Sequence, residues 1–130
     1  MFTMGIDVGS ASSKAVIIDQ RAQIAAMAVH PLGTGSSGPQ RVIRKVLEES
    51  ALNFADINRI VATGYGRFSI KEAHKQISEI SCNARGIFHL IPTARTIIDI
   101  GGQDSKAIKL DKNGMVNQFF MSDKCAALVS

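Results

Sequence analysis

Hydrophobic and polar positions along the first half of the chain alternate between strand-like and helical spacing. Residues 2–8 and 14–19 are short apolar runs rich in β-branched side chains, and the turn cluster between them predicts a β-hairpin. A third run at residues 23–29 extends the hairpin into a meander. After Pro39, apolar residues recur at helical spacing and predict an amphipathic helix of about 14 residues. These apolar positions are Val42, Ile43, Val46, Leu47 and Ala51.

The second half repeats the strand pattern. Residues 58–62 predict a fourth strand, and residues 69–76 and 82–90 have helical character that stops before Pro92. Residues 96–100, 106–110 and 115–120 predict a second meander, with residues 111–114 (DKNG) as the turn between its last two strands. This order of elements is typical of an α/β fold.

An internal repeat relates the two meanders. Residues 6–19 align without a gap on residues 98–111, an offset of 92 residues (98 − 6). Turn chemistry alone explains only the glycines, so the match favours duplication, with residues 1–93 as a first domain and residues 94–130 as the beginning of a second copy. The identical pairs include Asp7/Asp99, Gly9/Gly101, Ser13/Ser105, Lys14/Lys106, Ala15/Ala107 and Asp19/Asp111.

Composition narrows the class of protein. With 130 residues and 45% hydrophobic side chains, the chain can bury a core. No apolar run approaches the roughly 20 residues that span a bilayer, so we expect a cytoplasmic protein with no membrane partner. The net charge of +4 comes from scattered basic residues, and with one Tyr and no Trp the sequence argues against nucleic-acid binding.

The first Asp-x-Gly turn has the chemistry of a phosphate site. Gly9 lets the backbone approach a ligand, and the hydroxyls of Ser10, Ser12 and Ser13 can donate hydrogen bonds to phosphate oxygens. The carboxylate of Asp7 can hold Mg²⁺ through water. The alternative is that Asp7 and Gly9 only form a tight hairpin turn, and the second copy of the motif favours the phosphate site.

In the second copy, Asp99 is the equivalent carboxylate, and the tandem Gly101 and Gly102 leave room for a γ-phosphate. Gln103 and Asp104 could orient a water molecule for in-line attack, and are otherwise solvated turn residues. Neither a P-loop sequence nor a Rossmann fingerprint occurs in the chain.

Four segments in order resemble the motifs of the ATP-driven activators of 2-hydroxyacyl-CoA dehydratases, which are related to the ATPase subunits of benzoyl-CoA reductases. They are residues 5–14 (GIDVGSASSK), 62–67 (ATGYGR), 98–104 (IDIGGQD) and 123–127 (DKCAA). The resemblance implies a ribonuclease H-like, actin-like ATPase domain with a mixed sheet, followed by the first strands of a second copy.

The resemblance also implies site residues and cofactors. ATP or ADP would be bound by the two phosphate motifs, with magnesium held through water by Asp7 and Asp99. A [4Fe–4S] cluster bridging a homodimer would pass an electron to the dehydratase, with Cys125 as a ligand. The residues that match the two phosphate motifs are Asp7, Gly9, Ser10, Ser12, Ser13, Lys14, Asp99, Gly101, Gly102, Gln103 and Asp104.

The cysteines and the length of the chain leave alternatives open. Cys82 lies among apolar helical positions and is expected to pack in a core, whereas Cys125, after Lys124 and at an expected helix start, has surroundings that favour a thiolate. Relatives continue beyond the DKCAA segment with a second cluster cysteine and the adenosine-binding part, so we expect activity to be impaired by truncation. The other hypotheses are a non-catalytic binding module or remnant with the same fold, and a relative of small-molecule kinases.

Overall fold

Residues 1–101 and 104–123 are described by the computed structural model of the chain. They form eight strands and two α-helices in two compact units, Met1–Ser78 and Glu79–Ser130. Helix α2 therefore belongs to the second unit, whereas the predicted boundary between residues 93 and 94 marks the start of the repeat and stays a prediction. None of the described helices is long and apolar enough to cross a membrane.

The first unit is a five-stranded mixed sheet. Its strands are β1 (Phe2–Val8), β2 (Ser13–Ile18), β3 (Ile24–His30), β4 (Ile57–Thr63) and β5 (Lys75–Gln76), in the order β3-β2-β1-β4-β5. The first three strands pair antiparallel, and β4 joins β1 and β5 in parallel. The predicted hairpin, third strand and fourth strand are confirmed.

Helix α1 (Gly38–Ser50) covers one face of this sheet. Pro39 stands in its first turn, where no intrahelical N–H bond is lost, and the chain leaves the helix through Ala51 in a left-handed conformation. The buried side of the helix packs on alternate residues of the strands, which confirms the predicted amphipathic helix. This core includes Met4, Ile6, Val8, Ala15, Ile17, Ala28, Val42, Ile43, Val46, Ile60, Ala62 and Ile70.

The predicted helix at residues 69–76 is wrong. The chain there makes a short 3-10 turn at Arg67–Ser69 and then runs along the edge of β4 as β5. His74 pairs with Ile60 twice, since its N–H donates to the Ile60 carbonyl at 2.8 Å and its Nδ1 accepts from the Ile60 N–H at 2.9 Å. This pairing gives hydrogen-bond partners to the N–H and carbonyl of Ile60 on the edge of β4. The same groups would lack these partners if residues 69–76 formed an independent helix.

The second unit contains helix α2 (Glu79–Leu90) and strands β6 (Thr96–Ile100), β7 (Asp104–Leu110) and β8 (Val116–Asp123) in the order β6-β7-β8, all antiparallel. The predicted meander and the predicted helix at residues 82–90 are confirmed, although the helix begins three residues earlier (82 − 79). One face of this sheet packs against α2 through Ala84, Ile108 and Leu110.

The two meanders have the same register. Asp7 faces Lys14 across β1 and β2, and Asp99 faces Lys106 across β6 and β7. The equivalence extends into the third strands, where Ala15 faces Ala28 and Ala107 faces Phe120, and both copies carry a register shift at the same place, after Ile17 and after Lys109. The duplication therefore covers three strands, beyond the stretch that the sequence alignment detects.

The two copies differ in which face of the sheet a helix covers. Ile6 is 1% exposed under α1, whereas its equivalent Ile98 is 64% exposed, and Ile100 and Phe120 beside it are also exposed. No described helix packs against this outer face of the second sheet. The sequence of the duplicated strands thus provides a second core face that α2, on the opposite side, does not cover.

Candidate functional site

The first Asp-x-Gly turn closes the hairpin between β1 and β2. The Gly9 N–H donates to the Ser12 carbonyl at 2.9 Å, which bends residues 9–12 into a tight loop. Ser10 is exposed and Ser12 half-buried, so both hydroxyls lie at the surface of the turn. The turn thus offers hydroxyl donors next to a strand-end carboxylate.

Ser13 has a different position from the other two serines. Its side chain is fully buried, and its hydroxyl donates to the Leu32 carbonyl at 2.8 Å. This bond ties β2 to the loop that leads into α1. The phosphate contact predicted for Ser13 remains a prediction, and in this structure the hydroxyl already has a partner.

The loop before α1 lies against the first turn. The Thr34 N–H donates to the Gly9 carbonyl at 2.9 Å. Gly33 is buried, and a Cβ atom at that position would meet the Gly9 carbonyl and the Ser10 backbone. A side chain is therefore excluded where the two loops cross.

The turn after β4 completes this set of loops. Gly64 has a φ of +93°, and a Cβ atom there would meet the Asp7 carboxylate and the Val8 carbonyl. The Gly66 N–H donates to the Val8 carbonyl at 2.8 Å, and a Cβ on Gly66 would meet Thr34. Gly64 therefore lets the backbone pass close to Asp7, and Gly66 lets it pass close to Val8 and Thr34.

Asp7 lies between two polar neighbours at the end of β1. Lys14 on β2 places its Nζ atom 3.3 Å from Asp7 Oδ2, and Thr63 on β4 faces Asp7 on the other side. The Oγ1 atom of Thr63 is buried and has no hydrogen-bond partner among the described residues. Buried hydroxyls are nearly always paired, so Thr63, the cross-strand neighbour of Asp7, is an exception among the described residues.

The second turn has the same closing bond, from the Gly101 N–H to the Asp104 carbonyl at 2.8 Å. Asp99 accepts a hydrogen bond from Asn83 Nδ2 at 3.1 Å, and Asp104 Oδ1 lies 2.7 Å from Lys106 Nζ. The structure thus brings the predicted residues Asp99, Gly101 and Asp104 together at one strand end. The predicted residues Gly102 and Gln103 lie outside the described residues.

Lys106 is the buried cation of this second turn. Glu79 on α2 lies 3.6 Å from its Nζ atom, in addition to Asp104. Burial by itself lowers the pKa of the ammonium, but the hydrogen bond to Asp104 and the charges of Glu79, Asp104 and Asp99 together raise it above the usual 10.5. Lys106 therefore remains charged throughout the neutral range.

Magnesium and an iron–sulfur cluster place different demands on the described residues. Mg²⁺ usually keeps several waters and needs only one or two protein carboxylates beside substrate phosphates. Asp7, 42% exposed at the end of β1, is a carboxylate of this kind, and Asp99 has the equivalent position at the end of β6. A [4Fe–4S] cluster takes four thiolates. Cys82, half-buried on α2, is the one cysteine within residues 1–101 and 104–123, where no three His, Cys, Asp or Glu side chains are grouped for a metal ion. The predicted ligand Cys125 lies outside that range.

Sequence reasoning left several of these residues without a role. The segment at residues 62–67 was noted only as a matching motif, and Gly33, Thr34 and the α2 residues Glu79 and Asn83 were not singled out. Glycines directly after a strand, as at Gly64 and Gly66, were the available signal. No sequence pattern indicated the contacts of Glu79 and Asn83, because these contacts depend on how α2 packs on the sheet.

Two dehydratase activators that are similar to this chain are about twice its length. An activator of lactoyl-CoA dehydratase from Anaerotignum propionicum is 65% identical over 127 residues, which cover 98% of this chain and 49% of the relative. A 2-hydroxyisocaproyl-CoA dehydratase activator from Clostridioides difficile is 52% identical over 127 residues, covering 98% and 48%. The chain spans about half the length of these curated relatives.

Solved structures agree with the sequence relatives. The activator of the 2-hydroxyisocaproyl-CoA dehydratase from Clostridium difficile with bound ADPNP has a TM-score of 0.92 at 52% identity, over 97% of this chain and 47% of that one. Component A of the Acidaminococcus fermentans (R)-2-hydroxyglutaryl-CoA dehydratase has a TM-score of 0.90 at 46% identity, over 97% and 49%. The predicted α/β fold of the actin-like ATPase type, with a mixed sheet, is confirmed.

The family assignment rests on nearly the whole chain. The sequence model of the BadF/BadG/BcrA/BcrD ATPase family matches residues 4–128. This range includes all four segments that resemble dehydratase activators, and the resemblance is thereby confirmed. The chain belongs to the BadF/BadG/BcrA/BcrD ATPase family.

Proposed function

We propose that this chain binds the phosphates of ATP and ADP at its two Asp-x-Gly turns, as part of an ATP-dependent activator of a 2-hydroxyacyl-CoA dehydratase. The observation that carries the proposal is a pair of hairpins with one register and one closing hydrogen bond, each with a carboxylate at the strand end. The similarity to an activator with bound ADPNP supports it.

The first turn supplies groups that bind phosphate. The hydroxyls of Ser10 and Ser12 donate to phosphate oxygens, and Lys14, whose side chain is 45% exposed, neutralises their charge. Lys14 can turn from Asp7 to a phosphate because an ion pair this exposed is worth only about 0–1 kcal/mol. Asp7 is then available to hold Mg²⁺ through water, and Mg²⁺ supplies charge neutralisation between the phosphates.

The residues of the second turn take part in the hydrolysis step. Gln103 and Asp104 orient a water molecule whose oxygen bonds to the γ-phosphorus as the bond to the bridging oxygen breaks. The products are ADP and inorganic phosphate, and the proton of the water passes to Asp104. Asp99 is the counterpart of Asp7 for the metal.

The further steps follow from the resemblance to the activators. In a homodimer, Cys125 of each copy would contribute a thiolate to a [4Fe–4S] cluster, which supplies low-potential electron transfer when bound. The electron goes to the dehydratase, which is the proposed protein partner.

Replacing Asp7 by asparagine is expected to weaken Mg²⁺-dependent ADPNP binding at least about tenfold, because loss of a hydrogen bond to a charged group costs about 1.5–3 kcal/mol. Isothermal titration calorimetry of the chain with ADPNP, with and without Mg²⁺, measures this change. The Glu49→Gln variant, which removes the same charge from the exposed side of α1, serves as the control and should bind as the unsubstituted chain does.

Two results would contradict the nucleotide proposal. One is equal affinity of the Asp7→Asn and Glu49→Gln variants. The other is no ADPNP binding by the unsubstituted chain under conditions where the full-length Clostridioides difficile activator binds it. A chain that binds ADPNP and yet never supports ATP-dependent turnover of a 2-hydroxyacyl-CoA dehydratase would remove the activator role and leave nucleotide binding.

The cysteines allow a separate test of the cluster. After anaerobic reconstitution with iron and sulfide, we expect broad visible absorption that Cys125→Ser abolishes and Cys82→Ser leaves intact. The matched pair separates a ligand from a packing thiol, because both variants exchange sulfur for oxygen. Equal absorption of the two variants would rule out Cys125 as a ligand in this chain.

A further inference from the structure

The two repeat-equivalent lysines occupy different environments. Lys14 is 45% exposed and has one close carboxylate, Asp7, at 3.3 Å. Lys106 is 7% exposed and contacts Asp104 at 2.7 Å and Glu79 at 3.6 Å. Only Lys14 is open enough to reach a ligand.

The sequence explains why the ion pairs differ. Position 12 in the first copy is a serine, so Lys14 pairs with the cross-strand Asp7. The equivalent position in the second copy is Asp104, two residues before Lys106 on the same face of β7. The Lys106 ammonium therefore pairs with Asp104 and not with the cross-strand Asp99.

Helix α2 reinforces this division. Glu79 and Asn83 lie one turn apart on the helix, on the side that faces the strand end. Glu79 holds the Lys106 ammonium, while Asn83 donates to Asp99 at 3.1 Å. Each carboxylate of the second turn thus has its own donor, Lys106 for Asp104 and Asn83 for Asp99.

We propose that Lys106 is a positioning residue that fixes the Asp104 carboxylate beside the second turn, in contrast to its counterpart Lys14, which the proposed function already assigns to the phosphates. This inference rests on the proposed nucleotide function. The two turns then have different roles. Lys14 contributes to nucleotide affinity, whereas Lys106 holds the carboxylate that orients the water in hydrolysis.

Steady-state ATP hydrolysis by matched variants tests the division. Lys106→Met is expected to lower kcat at least about tenfold with KM changed less than about threefold, because an interaction that acts in the transition state is lost. Lys14→Met is expected to raise KM by at least about tenfold. In an Asp104→Asn background, Lys106→Met should have no further effect on kcat, since it acts through that carboxylate.

Loss of fold could imitate loss of turnover, so the unfolding equilibrium of the same variants is measured in urea. If Lys106→Met does not fold, the Lys106→Met/Glu79→Gln double variant removes a cation and an anion together and takes its place. Double-mutant cycles on the free energy of unfolding then pair Lys106→Met with Asp104→Asn and with Asp99→Asn. The coupling energy of Lys106 with Asp104 is expected to be larger than that with Asp99.

Several results would overturn the assignment. They are the same change in kcat and KM for both lysine variants, a full effect of Lys106→Met in the Asp104→Asn background, or stronger coupling of Lys106 to Asp99. Absence of nucleotide binding by the unsubstituted chain would instead count against the proposed function, and the unfolding cycles alone would then decide the Lys106 assignment.

Discussion

Gly64→Ala is expected to lower the free energy of unfolding of the first unit by about 2–5 kcal/mol. A left-handed conformation costs a non-glycine residue about 1–2 kcal/mol, and overpacking adds about 1–3 kcal/mol. Both apply here, because the φ of Gly64 is +93° and its Cβ would meet Asp7 and Val8. Urea unfolding followed by circular dichroism measures this change.

Gly35 provides a matched control. Its φ is +77°, and no atom lies within 4 Å of the Cβ that an alanine would place there. Gly35→Ala should therefore show the conformational cost alone, about 1–2 kcal/mol. If both variants lose the same stability, the turn after β4 does not approach Asp7 as closely as the structure has it.

Ile6→Ala is expected to destabilise the chain by about 2–5 kcal/mol, the usual range when a fully buried isoleucine is truncated. Ile6 is 1% exposed and packs in the core between the first sheet and α1. The free energy of unfolding in urea, followed by circular dichroism, measures the loss.

The repeat supplies the comparison for this variant. Ile98 occupies the equivalent position in the second copy but is 64% exposed, so Ile98→Ala should change the stability by no more than about 0.5 kcal/mol. A loss as large as that of Ile6→Ala would mean that the outer face of the second sheet is covered in solution by another copy of the chain. Unfolding at several protein concentrations would then show a concentration dependence.

Local patterns were sufficient for most of the fold. The hairpin strands and α1 follow from the alternation of apolar residues and from Pro39, and their bounds differ from the predicted ones by a few residues. Residues 69–76 were the failure, because pairing of His74 with Ile60 at the sheet edge outweighs a weak helical pattern. Such a pairing joins residues that are distant along the chain, so a local window does not contain it.

The candidate site was only partly predictable. Asp7 and Asp99 were predicted because the Asp-x-Gly motif occurs twice in the sequence at a fixed offset. Gly33 was missed because its importance comes from the crossing of its loop over the first turn, where no Cβ fits. Its neighbours along the chain give no sign of that crossing.

The duplication follows from the order of amino acids alone, since identical residues at a fixed offset impose the same strand pairs and the same closing hydrogen bond on both hairpins. The copies differ in burial, which depends on how the elements pack in three dimensions. Ile6 is buried and Ile98 is exposed, and Lys14 is half-exposed and Lys106 is buried. The physical reason is that strand pairing depends on residues within the repeat. Burial depends on which helix lies over each sheet, and the two helices pack on different faces of the duplicated unit.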